Sequence, residues 1–253
     1  MSVRAGFYII LFIFFSITAK AQIAPPGLGD VNSSAWFAVG VKEDLFAEKN
    51  ITSTTFVGIG TTNSPEDHNP LDRGTIYVIN QEVEHQFARH WKYSGALSYR
   101  WQNQFDEADP YDGRQEIRLY GRYSYLHPAE FVSFSFTFRP ELRLFYDTAF
   151  DPYKKSAQFR TRFSGKMSVN LSADKAHKLV TMAEVLLSSD KKENWGVWEY
   201  GESRFSVYYS LHLPKYKATL NFGYMNNLLG KDFYRDAHYV AFDIVLHNIF
   251  RKG

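Results

Sequence analysis

From about residue 35 to Phe250 the chain alternates apolar and polar residues with a period of two. The segment Trp91-Lys92-Tyr93-Ser94-Gly95-Ala96-Leu97-Ser98-Tyr99-Arg100-Trp101 is the clearest case. Successive side chains of a strand point to opposite faces, so such a segment has one greasy face and one wet face. The alternation predicts eleven strands, near 34–46, 51–60, 75–87, 91–104, 114–126, 131–146, 157–170, 178–188, 202–213, 215–226 and 237–250. The longest are about twice the usual soluble strand of about five or six residues, and a tilted membrane strand needs about nine to eleven. The pattern therefore predicts an all-β chain, a single antiparallel β-barrel of the membrane-spanning kind.

The first residues fit that reading. Arg4 supplies a positive start, Phe7 to Ile17 is apolar except for Ser16, and Ala19-Lys20-Ala21 is a small-x-small cleavage site before Gln22. The expected layout is a signal peptide over 1–21, an irregular Pro/Gly leader over 22–33, the barrel over 34–250 and a tail over 251–253. The apolar run is too short to span as a helix. The expected location is the outer membrane of a Gram-negative bacterium. The chain has no cysteine, which excludes a lipid-anchored N-terminal cysteine and fits an exported protein without disulfides. Removing Arg4 and Lys20 from the 29 basic residues leaves 27, equal to the 27 acidic ones. A balanced charge gives no general pull toward nucleic acid. The expected surroundings are outer-membrane lipid and a small solute, with no protein partner indicated. Aromatic residues make up 17% of the chain, which suits a lipid-facing surface with interfacial girdles.

Connections alternate between short and long. Ala47–Asn50, Ala88–His90, His127–Glu130 and Pro214 are short. The stretches 61–74, 105–113, 147–156, 189–201 and 227–236 are long and carry the turn formers, among them Asn69-Pro70 and Asp151-Pro152. Single-chain bacterial barrels have even strand numbers. Eleven strands therefore point to about twelve (range 10–12), with the hidden one sought in Asn194–Tyr200, or to a 22–33 segment that climbs through the lumen.

Parity assigns the two faces. In 131–146 one face reads Val132, Phe134, Phe136, Phe138, Pro140, Leu142, Leu144, Tyr146; the other reads Phe131, Ser133, Ser135, Thr137, Arg139, Glu141, Arg143, Phe145. The neighbours behave alike, with Glu116, Arg118 and Arg122 on one face of 114–126, and Arg160 and Arg162 on one face of 157–170. An arginine facing lipid at mid-membrane costs about 2–4 kcal/mol, so the charged face is the lumen. The inverse, a soluble barrel with its apolar face inward, is the structural competitor. A barrel this wide exceeds the eight-stranded size that side chains just fill, so aromatics would plug it only with difficulty.

The chemistry-bearing residues are these lumen charges. Glu116, Arg118, Arg122, Arg139, Glu141, Arg143, Arg160 and Arg162 form a candidate ladder, with Glu82, Glu84, Arg100, Glu184, Arg204 and Asp243 on the same face. Charges paired across strands would hold a narrow barrel closed; an arginine excess would instead make an anion-selective constriction. His177, His212 and His247 fall near strand ends close to Ser or Asp, while His85 and His90 flank a short turn and suit a girdle. No G-x-S-x-G nucleophile motif is present. The loop Asp106 to Gly113 gathers four carboxylates without EF-hand spacing. No zinc spacing, phosphate loop or dinucleotide fingerprint occurs, and no metal, cofactor or catalytic residue is expected.

Several stretches carry a resemblance: Ala21-Gln22 after the signal, Ser34-Ala35-Trp36-Phe37, Asn80-Gln81-Glu82-Val83-Glu84-His85-Gln86-Phe87 through Trp91-Lys92-Tyr93, and Arg114-Gln115-Glu116-Ile117-Arg118-Leu119-Tyr120. In these the chain resembles the outer-membrane barrel proteins of Bacteroidota gathered as "domain of unknown function 2490". The likeness covers nearly the whole mature chain. The Pro-Pro-Gly leader and the Arg251-Lys252-Gly253 tail depart from it. It implies a barrel and brings no activity, so no catalytic residue is carried over. Two functional classes follow: a non-enzymatic outer-membrane barrel that binds or passes a small solute or acts as a scaffold, and an outer-membrane hydrolase acting on lipid or peptide at the extracellular rim.

Overall fold

A computed structural model describes residues 33–63, 69–103, 113–230 and 235–250, with the side chains of Lys154 and Arg235 left aside. The expected signal peptide, nearly all of the Pro/Gly leader, the tail and the acidic cluster of 106–112 lie outside the described residues. Eleven strands form one closed barrel: β1 (Ser33–Phe46), β2 (Ile51–Thr62), β3 (Arg73–Ala88), β4 (Trp91–Asn103), β5 (Gly113–Pro128), β6 (Val132–Tyr146), β7 (Pro152–Asn170), β8 (His177–Lys191), β9 (Glu199–Leu213), β10 (Ala218–Leu229) and β11 (Arg235–His247). Each neighbours the next in sequence through an antiparallel ladder.

The odd number has a geometric consequence. In an up-and-down series the first and eleventh strands run the same way, so the barrel closes on a parallel pair. β1 and β11 join in parallel register from Ser33 opposite His238 to Lys42 opposite His247. Antiparallel pairing is therefore not universal, as the alternation alone suggested. The twelfth strand sought in Asn194–Tyr200 does not form there: Trp195 makes an isolated bridge to Lys191, and Glu199 already opens β9. Odd closure is rare, with a 19-stranded mitochondrial barrel as precedent.

Short turns sit at one rim. Ala47–Lys49 and Pro214–Tyr216 are single 3₁₀ turns, and each ends on a left-handed residue, Asn50 (φ 51°) or Lys217 (φ 47°). Their amides donate to the carbonyls of Ala47 and Pro214, which closes the turn. In 171–176 Asp174 accepts from the Ser172 hydroxyl and the Ala176 amide, and these bonds hold its carboxyl below the usual carboxylate range. The strand ends that the long connections join all lie at the opposite rim, because strand direction alternates.

Outward positions form an apolar belt over every strand, with Phe37, Val57, Ile79, Leu97, Leu119, Phe136, Phe163, Val185, Phe205, Phe222 and Val240 all exposed. Leu97, in the middle of β4, is 53% exposed and Phe136 is 59% exposed. Where the belt carries polar groups on β2 and β3, they satisfy one another: Thr55 donates to Gln81, whose amide donates to Ser53 at 2.6 Å. At the short-turn rim His85 meets Tyr93 edge-on and His90 stacks on Tyr125, with ring centroids 5.4 and 5.9 Å apart.

The interior divides in two. Between β3 and β9 it is charged. Around the β9–β10–β11–β1–β2 arc it is an apolar plug of Trp36, Ala38, Ile76, Tyr208, Met225, Ala237, Tyr239, Ala241 and Val245. This corrects the expectation that aromatics would fill such a barrel only with difficulty. Large and small residues alternate along single rungs. Tyr208 stands opposite Gly223, Gly223 opposite Ala241, Ala241 opposite Trp36, and Trp36 opposite Gly60. The rings lie over positions without side chains. A Cβ on Gly223 would collide with the Tyr208 ring and come within 2.5 Å of the Val207 carbonyl, and a Cβ on Gly58 would collide with the Trp36 ring.

These close approaches generate a test. Gly223→Val should lower the unfolding free energy by about 1–3 kcal/mol through overpacking. Gly95→Val, at a position with no atom within 4 Å of a built Cβ, should be neutral or slightly stabilising, because valine favours strands. Urea titration of both variants checks the contrast.

Candidate site: the buried charge network of the barrel interior

Register brings like charges face to face. Arg118 stands directly opposite Arg143, and Arg139 directly opposite Arg162. Such pairs repel. Two carboxylates from neighbouring rungs compensate. Glu116, 2% exposed, accepts from Arg118 Nε at 2.8 Å and from Arg143 Nε and Nη2 at 2.7 and 2.6 Å. Glu141, 1% exposed, meets Arg139 at 2.8 Å and Arg162 at 2.9 Å, with Arg118 and Arg160 further out at 3.8 and 3.9 Å. Bidentate contacts of this kind are the strong form of an ion pair.

The network extends around the wall. Arg162 and Arg204 share Glu184 at 3.2 and 3.6 Å, and Arg204 reaches Glu202 at 2.5 Å. On the other flank Arg122 pairs with Glu82 at 3.0 Å, and Glu82 also accepts from Ser94 and Tyr120. The Arg139 guanidinium lies 3.7 Å from the centroid of the Tyr120 ring, a cation–π contact. Toward the short-turn rim Glu84 takes Lys92 at 2.7 Å and Lys42 at 4.0 Å. All eight ladder residues thus lie inside the barrel: seven form one connected chain of ion pairs with Glu184 and Glu202, and Arg122 pairs with Glu82 beside it. Arg100, at 4.0 Å from Glu116, belongs to the same set. Asp243 does not: it is buried in the apolar half, where the Asn221 amide donates to it at 2.5 Å.

Sequence reasoning missed two parts. Glu202 carries two arginines; it opens the expected strand 202–213 but was not counted among the lumen charges. A vestibule also opens at the long-loop rim, a cavity of about 390 Å³ walled by Arg100, Arg114, Arg143, Lys155, Arg160 and Glu202 together with Gln102, Gln158 and Ser188. A register shift at Leu186/Leu187, where β8 meets β9, lies at its edge, and bulges of this sort re-aim neighbouring side chains. The signal for Lys155 existed only in the continuation of β7 down to Pro152, which the alternation did not reveal.

The histidines fall in separate places, except that His212 and His247 meet edge-on with ring centroids 5.9 Å apart. His177 bonds Tyr209 and His238 bonds both Tyr224 and Asp236, on the outward surface. His247 and His212 flank Thr219 at 2.8 and 3.3 Å, inside the barrel near the short-turn rim.

A family model described as "Protein of unknown function (DUF2490)" matches residues 77–232. The chain belongs to this family. The match opens in β3 and runs past the end of β10, so all the DUF2490 charge-ladder residues lie within it, while β1, β2 and β11 lie outside. No curated protein matches the chain.

The geometry fixes an energetic expectation for this DUF2490 barrel. Removing one partner of a buried ion pair costs about 3–5 kcal/mol. Glu141→Gln takes a carboxylate from four arginines and strands Arg139, whose ion pair is with Glu141, and it should cost that much in a urea titration. Glu130→Gln, in the exposed turn after β5, should stay within about 0.5 kcal/mol.

Proposed function

We propose that this chain is a non-enzymatic outer-membrane β-barrel, exported with cleavage after Ala21, whose charged lumen is closed and whose long-loop end holds a small solute. The observation that carries this reading is the pairing of an unbroken apolar outer belt with an interior of buried, mutually neutralised charge. An apolar surface that circles all eleven strands far exceeds the patches of a few hundred Å² that soluble monomers expose. Lipid is the solvent that fits it. The closed barrel leaves no unpaired strand edge, which a hydrocarbon environment demands.

Orientation follows from the rims. Outer-membrane barrels place short turns in the periplasm and long loops outside the cell. The end of β11 is then periplasmic, and the start of β1 lies at the extracellular rim. The aromatic and histidine contacts at the short-turn rim match an interfacial girdle. Closure comes from two fillings. Trp36, Tyr208 and Tyr239 occupy one half of the cross-section, and arginines bound to Glu116 and Glu141 occupy the other. A solute entering from outside meets the network as a floor.

Purified mature protein reconstituted in planar bilayers should show no steady conductance step. A large, stable and ion-selective current would replace the closed barrel with an open pore.

A further inference from the structure

Resting on the closed-barrel reading, we infer that the vestibule is a binding site for a small soluble anion carrying two or more carboxylate or phosphate groups, with Arg160 as its central ligand. Five cations wall the cavity: Arg100, Arg114, Arg143, Lys155 and Arg160. Among the described residues, the carboxylates that reach Arg100, Arg143, Lys155 and Arg160 are Glu202 at the wall, Glu116 and Glu141 in the floor, and Asp190, which pairs with Lys155 at 2.6 Å. Glu116 and Glu141 are already engaged by Arg118, Arg139 and Arg162 at 2.9 Å or less. Positive charge is left over at the cavity.

Arg160 concentrates it. Its contacts to Glu141 and Glu202 are long, at 3.9 and 3.8 Å, and its buried Nε has no hydrogen-bond partner among the described residues. Arg100 repeats the pattern. One guanidinium nitrogen donates to Gln102 at 2.6 Å, Glu116 is 4.0 Å away, and its buried Nε is also without a partner. A buried donor left unmade is costly. Both Nε atoms are closed to solvent, so the part of each side chain that meets an acceptor from outside is the part exposed on the cavity, 16% for Arg160 and 5% for Arg100. Arginine forks match carboxylate and phosphate oxygens in pairs. The cavity volume suits a small metabolite rather than a polymer. The barrel wall separates the cavity from the outward belt, so the anion comes from the aqueous side and not from a lipid headgroup.

The test uses refolded mature barrel in zwitterionic detergent at low ionic strength, titrated calorimetrically with citrate, with pyrophosphate and with glucose. A saturable heat is expected for at least one of the anions and none for glucose. Arg160→Gln should weaken that binding by about tenfold or more, the effect of one lost charge-assisted hydrogen bond. Lys155→Gln, at the rim and outside the floor network, should weaken it in the same direction and guards against misfolding of the Arg160 variant. Lys49→Gln, at the opposite rim, should leave it unchanged. Two results overturn the site: a folded wild type that binds neither anion, or binding that both vestibule variants leave within about twofold. Either result leaves the closed barrel standing, whereas a steady bilayer current would remove the closed lumen without deciding whether the anion binds.

Discussion

Two buried carboxylates set the terms for the rest of this barrel. Strand register places Arg118 against Arg143 and Arg139 against Arg162, and neither arrangement is stable alone. Glu116 and Glu141 sit between these rungs and turn repulsion into a network across β5, β6 and β7. The requirement follows from size. Eleven strands enclose more space than ordinary side chains fill. Arginine is long enough to cross that space, but each buried cation needs acceptors. The same network pins register, because a one-residue slip would exchange charges with the phenylalanines of the outward belt.

The apolar half solves the same filling problem by shape. The Trp36 ring lies over Gly58 and the Tyr208 ring over Gly223, and Tyr239 stands one rung away opposite Met225. Glycines on β2 and β10 are what give the large rings of β1 and β9 their room. This plug covers the parallel β1–β11 seam, where strand direction does not alternate. The halves meet on β9, which contributes Arg204 to one and Tyr208 to the other. Together they leave the vestibule at the long-loop rim, whose walls come from strand ends that rise past the ion-paired floor.

Much of this was legible in the sequence, for physical reasons. On β4 to β7 the inward side chains are charged and the outward ones aromatic or branched, so parity alone separated Arg139, Glu141 and Arg143 from Phe138 and Leu142. All eleven strands were found on that signal. Where both faces are apolar or small, parity carries little information. On β1, Trp36 points in and Phe37 points out, and nothing in their chemistry distinguishes them. The plug was therefore invisible, and so was the role of Gly58 and Gly223, which depends on rings from other strands. Strand ends above the belt lose alternation, which hid the continuation of β7 to Pro152 and with it Lys155. The odd closure was present in the count itself; the preference for even numbers led toward a twelfth strand in 194–200.

The proposed membrane barrel requires mid-strand outward positions to meet lipid, and the inward positions below the vestibule to meet neither lipid nor bulk water. The chain has no cysteine, so single cysteines report without background. Gly95→Cys, Ala96→Cys, Leu97→Cys and Ser98→Cys place four consecutive probes on β4, the second and fourth facing the interior. After reconstitution, fluorophores at 95 and 97 should be quenched by brominated lipid. Thiols at 96 and 98 should resist a membrane-impermeant maleimide added to either side. Rapid labelling at 96 and 98 would mean a water-filled lumen, and equal lipid quenching at all four positions would contradict the barrel's two faces.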